Sequence, residues 1–270
     1  MVSDGNWLVP TMNGELRLEK PPFPTWVAGG IEELFPGSLS AQRFAAGVMA
    51  CIWVLYLYLF VRRASRRDDL ALVTVIVFTT CYNMILMGRS ATWDIYCHAF
   101  MMDAIYYLTL GFTESRHCWR NFLLSGFFMG FSFLSKGPVS FYALLLPYLI
   151  TLLLLPRPSM KGKWWAFGAM IVLMLVIGSW WYVYLLTTHP VEVERVIRNE
   201  SGSWSNHNVR PWWYYWRFFL EMGVWAVLML ASLAVPYWKR HIEVKREYLL
   251  SLTWALSSLI LLSLMQEKKT

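Results

Sequence analysis

The residues best suited to chemistry in this sequence are ionisable side chains placed beside long apolar runs. Glu19 and Lys20 stand next to each other and are followed at once by two prolines. Asp94 opens one apolar run, and Lys136 lies between two others. An ionisable residue at membrane depth costs several kcal/mol, so its presence indicates a function or a buried partner.

Three kinds of chemistry fit these side chains. Lys20 and Arg89 could bind an anionic head group, especially a phosphate, through charge-assisted hydrogen bonds. Glu200 and His207, in a joint between apolar runs, could hold a divalent cation, and a carboxylate such as Asp94 could act as a general base. The prolines after Lys20 hold the backbone extended and so fix where its ammonium group points.

Each of these residues also has a purely structural interpretation. Asp94 could cap its helix, and His98, one turn further on, could be a hydrogen-bonded helix histidine rather than a metal ligand. Lys136 could extend to the membrane interface, and Glu19 with Lys20 could form an exposed ion pair of little energetic value. The aromatic residues that crowd the same boundary fit an interfacial belt better than a sugar platform.

The elements that position these residues are predicted to be membrane helices. The chain is 57% hydrophobic and only 15% charged, whereas soluble proteins carry about 25% charged residues. Crossing the bilayer takes about 20 apolar residues. We therefore predict an all-α integral membrane protein, a polytopic helical bundle with about eight segments: 42–61, 70–87, 94–112, 121–134, 138–155, 164–186, 212–237 and 248–265.

The charge of the joints predicts how the chain is oriented. Lys and Arg concentrate in the joints after the first, third, fifth and seventh segments, and such joints face the cytoplasm. The net charge of +7 thus reflects topology, and no nucleic acid is expected. Four regions follow: an outer head with a juxtamembrane helix, transmembrane helices, a large outer loop, and further transmembrane helices with a tail, at 1–41, 42–186, 187–211 and 212–270.

An outer head without a targeting segment normally follows an earlier transmembrane helix. We therefore expect at least one helix before Met1, and we expect the chain to continue beyond its abrupt end at "QEKKT". Within the fourth segment, Gly126 and Gly130 form a small-xxx-small pattern that predicts close helix packing.

Four motifs in this order resemble those of one enzyme class. "SDGNWLVPTMNGELRLEKPPFPTW" resembles the first outer loop of GT-C membrane glycosyltransferases, in particular the aminoarabinose (lipid A) transferase and dolichyl-phosphate-mannose protein mannosyltransferase-like families. "GRSATWDIYCHAF", "LSKGP" and "NESGSWSNHNVRPWWYYW" are similar to later motifs of these families. The E-K-P-P and P-W-W-Y-Y runs are the more specific ones, and the resemblance spans the whole chain.

The resemblance implies a transferase that moves a sugar from a polyprenyl-phosphate donor to a lipid or protein acceptor. The reaction would take place at the periplasmic face of the bacterial inner membrane. Lys20 would contact the donor phosphate, and Asp94 would be the second acidic residue, the primary base being expected upstream of Met1. The chain alone is therefore expected to be inactive. The other implied substrate-binding residues are Arg89, Lys136, Trp212, Tyr214 and Tyr215.

A divalent metal ion, zinc, magnesium or manganese, is implied only for some members of these families. Glu19 would hold it together with Glu200 and His207. Ser201 and Trp204 stand where the resemblance leads one to expect His and Arg, which weakens the case for metal binding by this loop.

Two other functions remain open at this point. One of these is a transporter or flippase of a lipid-linked saccharide, which is favoured by Asp103 and Glu221 because they lie inside apolar runs. Transporter sites usually form at the bilayer midplane, however, whereas the polar residues here collect at one interface. The third possibility is a non-catalytic membrane subunit.

Overall fold

The computed structural model describes residues 2, 5–12, 14–154, 159–206, 211–218, 222–243 and 245–264. Apart from a two-strand hairpin near the start, its regular elements are helices. In chain order the α-helices are α1 Phe23–Leu34, α2 Leu39–Ser65, α3 Asp68–Thr79, α4 Tyr82–Arg89, α5 Trp93–Thr113, α6 Cys118–Lys136, α7 Leu146–Leu154, α8 Trp164–Thr188, α9 Pro190–Asn206, α10 Ala226–Ser232, α11 Val235–His241 and α12 Lys245–Leu264. A π-helical turn, Phe141–Leu145, leads into α7, and 3-10 turns cover Tyr214–Arg217 and Gly223–Trp225.

The all-α membrane fold is confirmed, but the count of about eight spans is not. Within the described ranges, α2, α8 and α12 are long and apolar enough to cross a bilayer. Helices α3 and α4 together would make a fourth span, broken by a bend of 69°. Helices α5 and α6 have 21 and 19 residues but are not apolar enough to meet the same test.

Helices α5, α6 and α8 form the centre of the molecule. Twelve residues of α5 are buried, and α6 packs between α5 and α8. A Cβ atom built on Gly126 would collide with the carbonyl oxygen of Met170 on α8, and one on Gly130 would lie 2.6 Å from Cβ of Ile177. The small-xxx-small prediction is therefore confirmed: both glycines let α8 approach the α6 backbone.

The basic joints meet at one end of this bundle. Arg63, near the end of α2, lies 3.5 Å from Glu114 in the joint after α5, and Arg67 lies 3.9 Å from Glu243 in the joint after α11. Lys163, just before α8, donates hydrogen bonds to backbone carbonyls at the end of α5. The first residues of α5 and the last of α6 are consequently at the opposite end.

The head docks on this opposite end through aromatic side chains. The indole N–H of Trp181 on α8 donates to the carbonyl of Leu8 at 2.8 Å, and Trp26 on α1 donates to the carbonyl of Trp7 at 2.5 Å. Phe23 packs edge-on against rings of both α5 and α6. The described part of the head is thus held against three helices, and this fixes the residues that follow the hairpin.

Further along the chain, α9 lies within the predicted outer loop 187–211. It begins at Pro190, whose missing N–H is not needed in the first helical turn.

Candidate active site

A short hairpin and two prolines position Lys20. Strands β1 (Thr11–Met12) and β2 (Glu15–Leu16) pair antiparallel, with Gly14 at φ +83° before β2. The N–H of Arg17 donates to the carbonyl of Pro10 at 2.8 Å and extends the ladder by one bond. The chain therefore leaves the hairpin in a fixed direction, and Arg17 is itself anchored through its backbone.

The two prolines after Lys20 are buried and lead straight into α1. Pro22 accepts a hydrogen bond from the N–H of Trp26 at 2.8 Å, so it forms the beginning of the helix. Proline is favourable here because its φ is already suitable and no N–H is needed in the first turn. Lys20 is thereby held between a hairpin and a helix, although Pro22 has a helical conformation (φ −84°, ψ −13°) rather than the extended one predicted for the prolines.

Lys20 lines a cavity of about 210 Å³ between the head, α2 and the start of α5. The guanidinium of Arg17 lies on the same wall, 5.0 Å from the ring centre of Trp93. Among the described residues that line the cavity, two are cationic and none is acidic; its polar or aromatic side chains are Thr11, Arg17, Lys20, Thr25, Gln42, Trp93 and Tyr96. Two positive charges beside partly apolar walls favour an anionic ligand.

Asp94 and Lys136 form an ion pair next to this cavity. Asp94 follows Trp93 at the start of α5, Lys136 ends α6, and the lysine ammonium donates a hydrogen bond to Oδ1 of Asp94. Nε2 of His98 is 4.0 Å from the same oxygen. The side chains of Lys136 and Asp94 are 14% and 34% exposed, so the pair is shielded yet reachable.

Buried hydroxyl groups support the turn that carries Lys136. Ser132 donates to the carbonyl of Cys97 on α5 at 2.7 Å and lies 2.6 Å from the hydroxyl oxygen of Ser140 beyond the turn. Gly137 has φ +71°, a conformation that side-chain-bearing residues rarely adopt, and its N–H donates to the carbonyl of Phe133. The Lys-Gly-Pro turn therefore ends α6 at a defined point opposite Asp94.

Arg89 lies in a different compartment from Lys20. It is exposed at the end of α4, at an apolar groove of about 640 Å³ bounded by α2, α3 and α4. Gly88 and Arg89 line this groove, whereas Ala91 and Trp93 line the Lys20 cavity. The stretch from Gly88 on α4 to Trp93 on α5 therefore borders both spaces, although Arg89 and Lys20 do not share one.

The aromatic residues after the large loop are mostly exposed. Trp212 is 62% exposed, and Tyr214 contacts Tyr215 edge-on and the guanidinium of Arg217 at 4.6 Å. None of them lines the two spaces described above. Their role in substrate binding stays a prediction.

The predicted metal ligands are not brought together in the described ranges. Glu19 is exposed and does not line the Lys20 cavity. His207 and the side chain of Glu200 lie outside the described part of the chain. Among the residues described, no group of three or more His, Cys, Asp or Glu side chains could hold a metal ion. The metal site is therefore an untested prediction, and no catalytic step is assigned to it.

Sequence reasoning missed Arg17 and Gln42. Arg17 is three residues before Lys20, and only the hairpin geometry shows that both reach the same cavity. The amide of Gln42 on α2 donates to the carbonyl of Ala28 on α1 at 2.9 Å and closes one side of the cavity. A cation spaced by three residues from Lys20 in a charge-poor chain was the available signal for Arg17.

Comparison with known proteins decides the family. The family model described as dolichyl-phosphate-mannose-protein mannosyltransferase matches residues 19–182, from Glu19 to Tyr182. The chain belongs to this mannosyltransferase family. The matched range contains the two ion-pair residues, the cavity lysine and the first eight helices except part of α8.

Individual proteins similar to this chain share about a quarter of its residues. An undecaprenyl phosphate-alpha-4-amino-4-deoxy-L-arabinose arabinosyl transferase of Shewanella sediminis is 26% identical over 89% of this chain and 44% of its own length. Another of that name, from Edwardsiella ictaluri, is 26% identical over 99% of this chain and 49% of its own length. An uncharacterized protein of Aquifex aeolicus is 24% identical over 99% of this chain and 52% of its own length. The chain thus spans about half the length of these relatives.

A solved structure confirms the fold. The crystal structure of ArnT from Cupriavidus metallidurans bound to undecaprenyl phosphate superposes with a TM-score of 0.82 at 20% identity, over 100% of this chain and 50% of ArnT. The helical arrangement described above is therefore that of the matching half of ArnT.

Proposed function

We propose that this chain acts in a glycosyltransferase that moves a sugar from a polyprenyl-phosphate donor to a lipid or protein acceptor. The observation that carries the proposal is the cationic Lys20 cavity, which lies directly beside the Asp94–Lys136 pair. Relatives named as undecaprenyl-phosphate arabinosyl transferases and the ArnT structure with bound undecaprenyl phosphate support this class of donor.

The proposed chemistry uses the charge of the cavity. In the transfer, the bond between the anomeric carbon of the sugar and a phosphate oxygen breaks, and the phosphate leaves with more negative charge than it had in the donor. A fixed ammonium beside that oxygen stabilises the transition state more than the ground state. Lys20 is proposed to fill this role. The oxygen of the acceptor hydroxyl forms the new bond to the anomeric carbon and gives its proton to a carboxylate base. Asp94, held by Lys136, orients the sugar or acceptor.

The apolar groove suggests where the long chain of the donor could lie. Arg89 is its charged residue, and the segment that follows Arg89 borders the Lys20 cavity. We propose that the isoprenoid chain lies in the groove while its phosphate enters the cavity. Arg89 then interacts with the region where chain and phosphate meet.

The charge distribution supports a periplasmic active face. The basic joints gather at the end of the bundle where Arg63 approaches Glu114, and the head with Lys20 docks on the other end. Because basic joints stay in the cytoplasm, we propose that Lys20, Asp94 and Lys136 face the periplasm of the bacterial inner membrane.

The test follows the donor lipid. Membranes of the source organism with Lys20→Ala in the chromosomal gene are supplied with undecaprenyl phosphate that carries 4-amino-4-deoxy-L-arabinose. The release of free undecaprenyl phosphate is then measured. We expect release to fall about 100-fold or more, as when one stabilising donor is lost from a transition state. Lys161→Ala, an exposed lysine at the other end of the bundle, should leave release unchanged.

The same assay separates the transferase from a transporter. A transporter moves the intact glycolipid and releases no free undecaprenyl phosphate. Unchanged release in the Lys20→Ala membranes, or release that depends on Asp103 instead, would contradict the proposal.

A further inference from the structure

We propose that Arg17 is a second phosphate-binding residue of the Lys20 cavity and that Trp93 holds its guanidinium in place for that task. This inference rests on the proposed function, because it takes the ligand of the cavity to be the phosphate of a polyprenyl-phosphate lipid. It adds a residue that no motif in the sequence indicated.

Arg17 is fixed at both of its ends. Its backbone N–H is bonded to the carbonyl of Pro10 at 2.8 Å in the hairpin. Its guanidinium carbon lies 5.0 Å from the ring centre of Trp93 at the start of α5, within the distance of a cation–π contact. The side chain therefore bridges from the hairpin to α5 along the wall of the cavity. A guanidinium held in this way loses little conformational freedom when it binds a ligand.

The two cations of the cavity are complementary in shape. A guanidinium presents a rigid fork of N–H groups that can bind two phosphate oxygens at once, whereas an ammonium acts as a compact point charge. With Lys20 lining the same cavity, a phosphate group meets one directional and one adaptable donor.

The size of the cavity limits what it can hold. Its volume of about 210 Å³ is about a third of the 640 Å³ of the apolar groove. A phosphate group with its ester oxygen fits this space, but a long isoprenoid chain does not. The cavity is therefore suited to the charged end of the lipid, and its two positive charges distinguish a phosphate from a neutral alcohol of the same chain.

The experiment compares two lipids that differ only in the phosphate. Undecaprenyl phosphate and undecaprenol are titrated into the whole chain in lipid nanodiscs, and binding is measured by quenching of tryptophan fluorescence. Arg17→Ala should weaken undecaprenyl phosphate binding about 10- to 100-fold, as expected when a charged hydrogen-bond donor is lost. Undecaprenol binding should stay within about twofold.

Three further variants define the role of each group. Arg17→Lys keeps the charge but not the fork and should recover part of the lost affinity. Trp93→Leu removes the ring beneath the guanidinium and should weaken undecaprenyl phosphate binding about 3- to 10-fold. Arg43→Ala removes an exposed arginine of α2 that does not line the cavity, and it should bind like the wild type.

The outcomes separate the inference from the proposed function. If Arg17→Ala binds undecaprenyl phosphate like the wild type while Lys20→Ala does not, the inference is wrong and the proposed function stands. If neither variant differs from the wild type, the cavity does not hold the phosphate and both fail. Equal losses for both lipids, or a lower unfolding temperature that accounts for the loss, would make Arg17 a purely structural residue and overturn the inference.

Discussion

Two lysines at opposite ends of the α5–α6 pair are both shielded from solvent but have different kinds of partners. Lys163 is 6% exposed and donates to three backbone carbonyls at the end of α5, those of Gly111, Phe112 and Glu114, at 2.9, 2.7 and 3.2 Å. Lys136 donates to one side chain, Asp94, beside the cationic cavity. The first lysine is bound by the backbone, and the second by a single carboxylate.

The difference indicates which lysine can take part in function. The carbonyls at a helix end carry partial negative charge and have few other donors, so a cation that binds them stabilises the helix. They cannot move away when a ligand arrives. A carboxylate can rotate and exchange partners, so the Asp94–Lys136 pair can reorganise when a phosphate or sugar enters. Burial of a lysine alone therefore does not identify a functional residue, but the kind of partner does.

Replacing Lys163 should have the largest effect on stability. Lys163→Met keeps the length of the side chain but leaves the carbonyls at the end of α5 without their donor. We expect a loss of about 2–4 kcal/mol in the free energy of unfolding, measured by denaturant unfolding in detergent micelles. Binding of undecaprenyl phosphate per folded molecule should be unchanged. The exposed neighbour Lys161→Met is the control, and similar stability of the two variants would disprove a capping role.

The Asp94–Lys136 pair should behave differently because both partners can be changed. Lys136→Met leaves the Asp94 carboxylate without its donor, and we expect a loss of about 1–3 kcal/mol. Adding Asp94→Asn should restore part of that loss, with a coupling energy of about 1–2 kcal/mol in a double-mutant cycle. Sugar transfer should stay low in Lys136→Met, in Asp94→Asn and in the double variant, even where stability recovers.

The double-mutant cycle of Asp94 and Lys136 can also contradict the interpretation that the two residues act as a coupled, functional pair. Additive effects of the two substitutions on unfolding would show that the pair contributes no coupling. Full sugar transfer by the double variant would show that Asp94 and Lys136 are present only to neutralise each other.

Local patterns in the sequence predicted the all-helical class and one long-range contact, but not how the site assembles. Gly126 and Gly130 predicted helix packing because two glycines on one face of a helix let a neighbouring helix approach its backbone closely. The Lys20–proline run predicted a rigid segment because prolines fix the backbone locally. The pairing of Asp94 with Lys136 joins residues 42 positions apart, and nothing in either local sequence specifies it.

The count of about eight spans stays unconfirmed for a related reason. An apolar run predicts burial, but it does not say whether lipid or protein surrounds the helix. Helix α5 carries Asp94, His98 and Asp103 and is surrounded largely by other helices. Arg17 was missed because its role depends on the hairpin that brings it back over Trp93, a tertiary contact that its spacing of three residues from Lys20 does not specify.

The smallest effect should come from an ion pair that resembles Asp94–Lys136 in chemistry but not in surroundings. Arg62 lies 2.6 Å from Asp68 at the basic end of the bundle, with side chains 54% and 61% exposed. Water screens such a pair and holding it costs side-chain entropy, so Arg62→Ala should change the free energy of unfolding by about 0.5 kcal/mol or less. Denaturant unfolding at low and high salt checks this, because any contribution should fall as salt rises. A loss as large as that of Lys136→Met would mean that exposure to water does not set the strength of these ion pairs. The difference between the pairs at the two ends of the bundle would then have to come from their geometry alone.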